Sequence, residues 1–500
     1  MHLKAIRGVP WTIASYGATK AVNVITTIVL ARIVSPADFG LVALATMALN
    51  LLAFVKDFGF AETMVSRHDL DRRQLGTILT LVNLLSLGLA TVAALSAPLL
   101  ARFFGEPHLT PVLQVMAVLL LVSGTANYYE TVLEREMEFR RRFVALGLQS
   151  VATAVVAIPA AILGAGVWSL VAGQLAGLVT LGVVCYALAP YHVRPAWKRD
   201  ELRPLFSTSS GFLLQNVSIF GRQNLDYIVV GRSFGSAAVG FYSMAFRLAD
   251  LPYWAISDPV ARVTFPSFSR THGEGGDIRP TFLSVSRLVA LVSCPVGVIL
   301  SGAAGPFTAT VFGSTWMPMV GPLAVLGIWA AIRPIDTTLN WFLNSIGHAR
   351  VVGVYSTVVI AVLLPAFILA AHLGSITTVA WVVTADSFAS LVFLILMVRR
   401  RGEVGYGDQR RSLQPVVLAC FPTWIASRAV SEAFSDGPAL AVLVAATVAG
   451  LAAYLVALVV LEPGLIKESL RQIGRTVGRG EETADEFREI DPEPAISTEI

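Results

Sequence analysis

The sequence predicts an all-α polytopic membrane protein, with about fourteen transmembrane helices forming two pseudo-symmetric six-helix lobes and two further C-terminal helices. Three observations carry that prediction. The first is composition. Of 500 residues, 55% are hydrophobic and 14% are charged, and the mean hydropathy is +0.69; ordinary globular chains carry about 25% charged residues. The second is spacing. Charges gather in short islands, and the apolar runs between them are about 20 residues long, enough to cross about 30 Å of hydrocarbon as helix. The third is an internal repeat at an offset of 200 residues.

Taken in order, the apolar runs fall at about 11–32, 38–55, 77–101, 109–128, 143–163, 166–189, 206–231, 237–256, 281–303, 317–337, 351–372, 376–398, 413–431 and 438–461. The first follows Lys4 and Arg7, as in a signal peptide, but it extends from Trp11 to Ile33 and no cleavage site follows. That is too long for a signal h-region, so it reads as a retained span. Ser35-Pro36, Gly164-Ala165-Gly166 and Gly374-Ser375 are tight connections that force antiparallel neighbours. Gly173 and Gly177 have the spacing of a close helix contact, either within the chain or between copies. Cys185, Cys294 and Cys420 all fall in apolar runs without metal-ligand spacing and read as packed thiols. Beyond the last span, Lys467, Arg471, Arg475 and Arg479 recur every fourth residue. That pattern suits an interfacial helix on anionic lipid and equally a solvated basic helix. Residues 481–500 are acidic and read as disordered.

Basic residues set the orientation. With the N-terminus inside, the islands around Arg72, Arg140, Arg199, Arg270, Arg333, Arg400 and Lys467 are cytoplasmic, and the external side keeps only Arg32, Arg102, Arg232 and Arg428. This is the bias of the positive-inside rule, and it places both termini in the cytoplasm of an inner (plasma) membrane protein. It also explains the net charge of +4. No stretch interleaves base-stacking aromatics with a basic groove, so nucleic acid is set aside. The external loops are too short for a catalytic domain, and neither a phosphate-binding Gly-rich loop nor a zinc-protease motif is present. No cofactor and no metal is expected.

The repeat pairs IVLARIVSPADFGLVALA at 28–45 with IVVGRSFGSAAVGFYSMA at 228–245. Ile28/Ile228, Val29/Val229, Arg32/Arg232, Ala37/Ala237, Gly40/Gly240 and Ala45/Ala245 are identical, and one residue out of register Asp57 and Ser66 match Asp258 and Ser267. Spans 1 and 2 thus correspond to spans 7 and 8. An even number of spans separates the copies, so the halves share one orientation, and a transport site belongs between them near the midplane. The implied divisions are an N-terminal lobe at 1–200, a C-terminal lobe at 201–402, two additional spans at 403–462, and a basic helix with acidic tail at 463–500. Arg32 and Arg232 end their helices on the external side, where a cation suits the negative end of the dipole better than it suggests a ligand.

Charges inside the spans mark the candidate site. Lys20 and Asn23 lie in span 1; Gln215, Asn216, Arg222, Gln223, Asn224 and Asp226 in span 7; Arg247 and Asp250 in span 8; Arg287 in span 9; Asp386 in span 12. Arg333 and Asp336 fall towards the internal end of span 10, where Arg333 can snorkel. A charge at the bilayer centre costs about 2.5–3.5 kcal/mol on insertion scales, so such residues face a cavity or a partner. Arg222 and Asp226 at i, i+4, and Arg247 and Asp250 at i, i+3, can pair on their own helices as structural glue. Cations outnumber acids in spans 1 and 7–9, which favours an anion, and Arg offers phosphate a bidentate fork. Lys20, Arg222, Arg247 and Arg287 are the candidate cationic site. Asn23, Gln215, Asn216, Asp226, Asp250 and Asp386 are supporting or ion-coupling candidates.

LARIVSPADFGLVALA followed by VKDFGFAETMVSR, NYYETVLEREMEFRRRF at 127–143, and QNLDYIVVGRSFGSAAVGFYSMAFRLADLP at 223–252 resemble three segments of one family. This is the polysaccharide-unit flippases of the multidrug/oligosaccharidyl-lipid/polysaccharide exporter superfamily, nearest to the lipopolysaccharide, colanic acid and teichuronic acid branch. The resemblance implies two six-helix lobes, often with two extra helices, that rock to give alternating access. It implies a cargo of polyprenyl-pyrophosphate-linked oligosaccharide, moved from the cytoplasmic to the outer leaflet during cell-surface polysaccharide biosynthesis, with cations of a central cavity engaging the pyrophosphate. The lipid bilayer, that cargo and polysaccharide-assembly proteins are the implied partners. The alternatives are a cation-coupled multidrug exporter of the same fold, a membrane enzyme of polysaccharide assembly, and a transport-dead scaffold.

Overall fold

A computed structural model describes residues 2–57, 60–66, 70–197, 199–260, 264, 268, 270, 271, 276–402 and 404–463, with side chains left aside at 2–16, 18, 54–57, 62–63, 66, 199–219 and 349. The expected basic helix and acidic tail lie outside the described residues, as do the side chains of Gln215 and Asn216. Among the described residues there is no strand. The long helices are α1 (His2–Ile33), α2 (Pro36–Asp57), α4 (Arg72–Phe104), α5 (Leu109–Arg135), α6 (Phe139–Ile162), α7 (Val167–Leu188), α8 (Arg199–Ala249), α9 (Arg279–Gly302), α11 (Val320–Ser345), α12 (Ala349–Leu373), α13 (Ile376–Arg401), α14 (Tyr406–Ala433) and α15 (Ala439–Leu461). Short helices α3 (Phe60–Ser66) and α10 (Ala304–Val311) and a 3-10 turn at Ser314–Met319 fill the connections.

Local chemistry sets several boundaries. Asp71 accepts from the Gln74 amide at 2.6 Å while its own amide donates to Gln74 Oε1 at 2.9 Å, a capping box that starts α4. Gly105, at φ 70°, ends the same helix in the left-handed region. Ser375 and Thr378 make the equivalent box for α13. Within α8, Gly235 stands at φ 80° and ψ −178°, and the chain reverses there. Tyr242 Oη donates to Asp226 Oδ2 at 2.8 Å, a contact that a continuous helix would hold about 24 Å apart. α8 is therefore two antiparallel arms, 199–234 and 236–249, and the count of long helical arms among the described residues is fourteen.

Among the described residues, eleven helices are long and apolar enough to cross a membrane by length and composition. The other long segments are α1 and the two arms of α8; the side chains of α1 and of the first arm are described only in part. One expectation is corrected. Hydropathy puts span 10 at 317–337, whereas α11 runs to Ser345. Arg333, Asp336 and Asn340 interrupt the hydropathy signal, yet the helix continues through them, so Arg333 lies mid-helix rather than near its end.

The helices form two six-helix groups and a late pair. α4, α5, α6 and α7 pack together, with α1 against α6 and α2 against α5; α8, α9, α11, α12 and α13 form the second group, and α14 and α15 pack as a pair on α9. Gly173 and Gly177 serve packing within the chain: a Cβ on each would lie 2.7 Å from Ala157 Cβ and 2.2 Å from Thr153 Oγ1 of α6. The groups meet where α2 crosses the second arm of α8. A Cβ on Gly40 would fall 1.7 Å from Ser236 O, and one on Gly240 would fall 1.9 Å from Pro36 O. Each glycine touches the repeat-equivalent of the other's neighbour, so the sequence repeat is a pseudo-twofold contact in space.

Candidate functional site

The end of the bundle at Gly40 and Gly240 is sealed. Trp316, 1% exposed, stands between Phe39, Phe241 and Phe312 with ring centroids 5.5, 5.8 and 5.9 Å away. Its Nε1 donates to Ala31 O at 2.7 Å. Arg32 Nε donates to Val311 O at 2.7 Å, and its Nη2 to Thr310 O. The dipole reading of Arg32 thus holds with a change of helix: it caps the carbonyl end of α10, across the interface. Glu106 Oε1 accepts from the Ser236 amide at 2.6 Å, and Arg232 lies over the Phe103 ring at 5.9 Å. Both halves contribute to this seal.

Beneath it a cavity of about 1910 Å³ runs between the groups as far as the exposed Arg350 at the start of α12. It is bordered by α1, α2, both arms of α8, α11, α12 and α13, with smaller contributions from α6 and α7. Among the described residues its charged lining consists of Arg222, Arg247, Arg333 and Arg350 with Asp226, Asp250, Asp336 and Asp386. Lys20 sits in an adjoining notch of about 200 Å³ between α1 and α6, and Asn23 borders both spaces.

The pairing differs from the local spacing. Arg222 does not close on Asp226; its Nη2 pairs with Asp386 Oδ2 of α13 at 3.1 Å, and its guanidinium lies 5.7 Å from the Tyr355 ring. Asp226, 3% exposed, instead accepts from Tyr242. Asp250 does not close on Arg247; its Oδ1 pairs with Arg333 Nη1 at 2.6 Å, and its Oδ2 accepts from Trp254 Nε1 at 2.6 Å. The Arg333 guanidinium is sandwiched 4.4 Å from the Tyr253 ring and 4.7 Å from Trp329. Lys20 Nζ lies 4.6 Å from the Trp254 ring centroid, so a cation of α1 rests on an aromatic from the other group.

Arg287 leaves the site. It pairs with Glu462, one residue past α15, and fastens α9 to the late pair. Equal depth placed it with the other cations in the sequence, but depth does not specify which face of a helix a residue occupies. Its departure, and the arrival of Asp336 and Asp386, remove the expected excess of cations: four lining arginines face four lining aspartates. What persists is an excess of accessible positive charge. Arg247 and Arg350 are exposed and make no hydrogen bond or ion pair among the described residues, while Asp250 and Asp386 are paired, Asp226 is buried and Oδ1 of Asp336 is shut from solvent. The cavity roles of Arg333, Asp336, Asn340 and Trp254 were missed. The signal was available in polar residues recurring every three or four positions along 333–340, a stripe that faces one side of a helix.

Such a chamber can hold an anionic, highly hydroxylated head group while excluding it from hydrocarbon. No group of three or more His, Cys, Asp or Glu side chains suited to a metal occurs among the described residues. A family model described as polysaccharide biosynthesis protein matches residues 29–321. The teichuronic acid biosynthesis protein TuaB of Bacillus subtilis strain 168 is 26% identical over 330 residues, 66% of this chain and 68% of that protein. The succinoglycan biosynthesis transport protein ExoT of Rhizobium meliloti strain 1021 is 25% identical, over 69% of this chain and 70% of its own. The lipopolysaccharide biosynthesis protein WzxC of Escherichia coli strain K12 is 21% identical, over 67% and 69%. Among solved structures, the inward closed conformation of the lipid II flippase MurJ superposes with a TM-score of 0.75 at 12% identity, covering 91% of this chain and 99% of its own. An inward-facing multidrug resistance MATE transporter of the MOP superfamily gives 0.63 at 16%, covering 76% and 94%. These two likenesses establish the fold.

Proposed function

The chain belongs to the polysaccharide biosynthesis protein family, and from that premise we propose that it is a flippase for a polyprenyl-pyrophosphate-linked oligosaccharide. It moves this cargo from the cytoplasmic to the outer leaflet by alternating access during cell-surface polysaccharide biosynthesis. The observation that carries the reading is the cavity of about 1910 Å³ between the two groups of helices, in which the exposed Arg247 has no carboxylate partner among the described residues. A sugar–pyrophosphate head cannot cross hydrocarbon unaided. A polar chamber removes that barrier while the polyprenyl tail stays in the bilayer. Flipping breaks no bond, and the protein is a transporter, not an enzyme.

In this reading the lobes are 1–200 and 201–402, with 403–462 as an accessory pair and 463–500 as a cytoplasmic tail. The multi-pass chain sits in the inner membrane with both termini cytoplasmic, as its basic islands favour. The sealed end then faces outward and the cavity faces the cytoplasm, where lipid-linked sugars are assembled. Arg247, with Lys20 at the adjoining notch, receives the pyrophosphate. Arg222 and Arg333 tension the chamber through Asp386 and Asp250. Asp226 and Asp386 are the carboxylates available for ion coupling. Polysaccharide-assembly proteins are the partners that would take the delivered cargo.

The four lining carboxylates favour one rival, a cation-coupled exporter of cationic drugs. Reconstitution separates the two. Proteoliposomes should translocate a lipid-linked oligosaccharide, and Arg247→Ala should slow this at least about tenfold, the effect of losing one charge-assisted contact. Efflux of a cationic dye, with no translocation of any lipid-linked sugar, would establish the rival instead.

A further inference from the structure

The cavity is far larger than a pyrophosphate requires, and one part of its wall has a chemistry that phosphate does not need. After Pro252 the second arm of α8 continues as a π-helical turn, Tyr253–Ser257. Such wide turns recur at functional sites. This one sets Tyr253 and Trp254 together on the cavity wall, their rings 5.1 Å apart and inclined at 73°. Both are half-buried. Trp254 fixes the Asp250 carboxylate through its indole N–H, and Asp250 in turn holds Arg333.

We propose that this turn is a saccharide subsite, in which Trp254 and Tyr253 stack against the sugar bonded directly to the pyrophosphate and Asp250 and Arg333 bond its hydroxyls. The inference rests on the lipid-pyrophosphate reading of the cavity and adds which part of the cargo is selected. A sugar ring has an apolar C–H face and a hydroxylated rim. An aromatic face flanked by a fixed carboxylate and guanidinium presents both complements. Asp250 Oδ1 is shut away beside Arg333, so the acceptor capacity left to this carboxylate is at Oδ2, next to Trp254, and Arg333 has five N–H donors of which the ion pair uses few. Covalent geometry supports the location. A sugar joined to phosphate through one oxygen lies within about a ring's width of whatever cation holds that phosphate, and Lys20 Nζ is 4.6 Å from the Trp254 centroid. Lys20 belongs to the first group of helices and Trp254 to the second, so the phosphate–sugar junction would sit where the groups meet.

The test compares two probes on the full-length protein in detergent: undecaprenyl pyrophosphate, and the same lipid carrying one glucose. Trp254→Leu should weaken binding of the glucosylated lipid by about five- to tenfold and leave the sugar-free lipid within about twofold. Trp254→Phe, which keeps a ring, should restore most of the difference and covers the case in which the leucine variant fails to fold. Equal losses for both lipids would mean that Trp254 only seats Lys20, and would overturn the subsite. An unchanged ratio in both variants would overturn it as well. If the wild-type protein binds neither lipid, the flippase reading itself falls and takes the subsite with it, an outcome distinct from the other two.

Discussion

Within a bilayer an arginine is defined by what neutralises it. Arg222 and Arg333 are neutralised by aspartates of neighbouring helices, Arg287 by Glu462 at the end of the chain's last described helix, and Arg247 by no side chain among those described. The four therefore respond differently to removal. Arg247→Ala should weaken binding of a pyrophosphate lipid about tenfold or more while barely moving thermal stability, because no protein charge loses its partner. Arg287→Ala should do the reverse, leaving lipid affinity unchanged and lowering stability by about 1–3 kcal/mol, less than the 3–5 typical of a fully buried pair since both groups are part-exposed. Thermal unfolding in detergent beside a binding titration reads both. If Arg287→Ala weakens lipid binding as strongly as Arg247→Ala, the assignment of Arg287 to the helix clasp is wrong. Asp386→Asn is intermediate: it leaves Arg222 uncompensated in the cavity, so it should tighten binding of an anionic lipid while costing stability, measurable in the same pair of assays. These distinctions were only half legible in the sequence. Which charges sit inside the spans is visible from hydropathy, and so is the list of Lys20, Arg222 and Arg247. Which partner each takes is not, because i, i+4 spacing states only what one helix permits. Arg222 reaches Asp386, 164 residues away, since antiparallel packing brings α13 to the first arm of α8.

At the scale of elements, the seal is made where the first turns of two long helices, α2 and the second arm of α8, cross. Its closest approach is backbone on backbone at Gly40 and Gly240, where a single added carbon would lie 1.7 or 1.9 Å from a carbonyl oxygen. Neither a side-chain rotation nor a rotamer change can relieve that overlap, so the helices must separate by an ångström or more. Gly40→Ala should therefore hold the sealed end apart. A Thr310→Cys reporter, in a chain whose native cysteines are replaced by alanine, should react with an aqueous maleimide severalfold faster when Gly40 is also changed. Arg32→Ala should act in the same direction but more weakly, because it removes donors to two carbonyls of α10 without forcing the helices apart. Equal reactivity in the wild type, Gly40→Ala and Arg32→Ala backgrounds would show that these contacts do not hold the end closed. The repeat in the sequence announced this pair of glycines and the antiparallel turns that carry them. It did not announce the third participant, Trp316, because the segment between α9 and α11 has no repeat signature and its aromatic residues read as the ordinary edge of an apolar run. Nor did hydropathy extend α11 to Ser345, since that method registers the average over a window and is blind to a polar stripe on an otherwise apolar helix.

For the whole molecule, the sign of its transport follows from charge and orientation together. A polyprenyl-pyrophosphoryl sugar carries two negative charges on its phosphates. An inside-negative potential drives each outward with about 2.3 kcal/mol per 100 mV, so about 4–5 kcal/mol per 100 mV is available if the whole field is crossed. The protein's own cations set how much of this is used. Were Arg247 and Lys20 to travel the full field with the cargo, the net charge moved would approach zero and the potential would do no work. Both are anchored in helices, and in the proposed alternating access the two groups of helices rock against each other, the Gly40–Gly240 seal closing one end while the cavity is open at the other. In a rocking motion the lining arginines change their exposure far more than their depth, so the cargo's charge is what moves through the field. Flipping into the outer leaflet should accordingly accelerate when a potassium gradient and valinomycin make the starting side negative, and slow when the polarity is reversed, with no proton or sodium gradient imposed. A rate indifferent to potential but raised by a proton or sodium gradient would transfer the driving role to Asp226 and Asp386. In that case Asp226→Asn should abolish the gradient dependence while leaving lipid binding nearly intact, because Asp226, although part of the cavity lining, is bonded to Tyr242 and only 3% exposed.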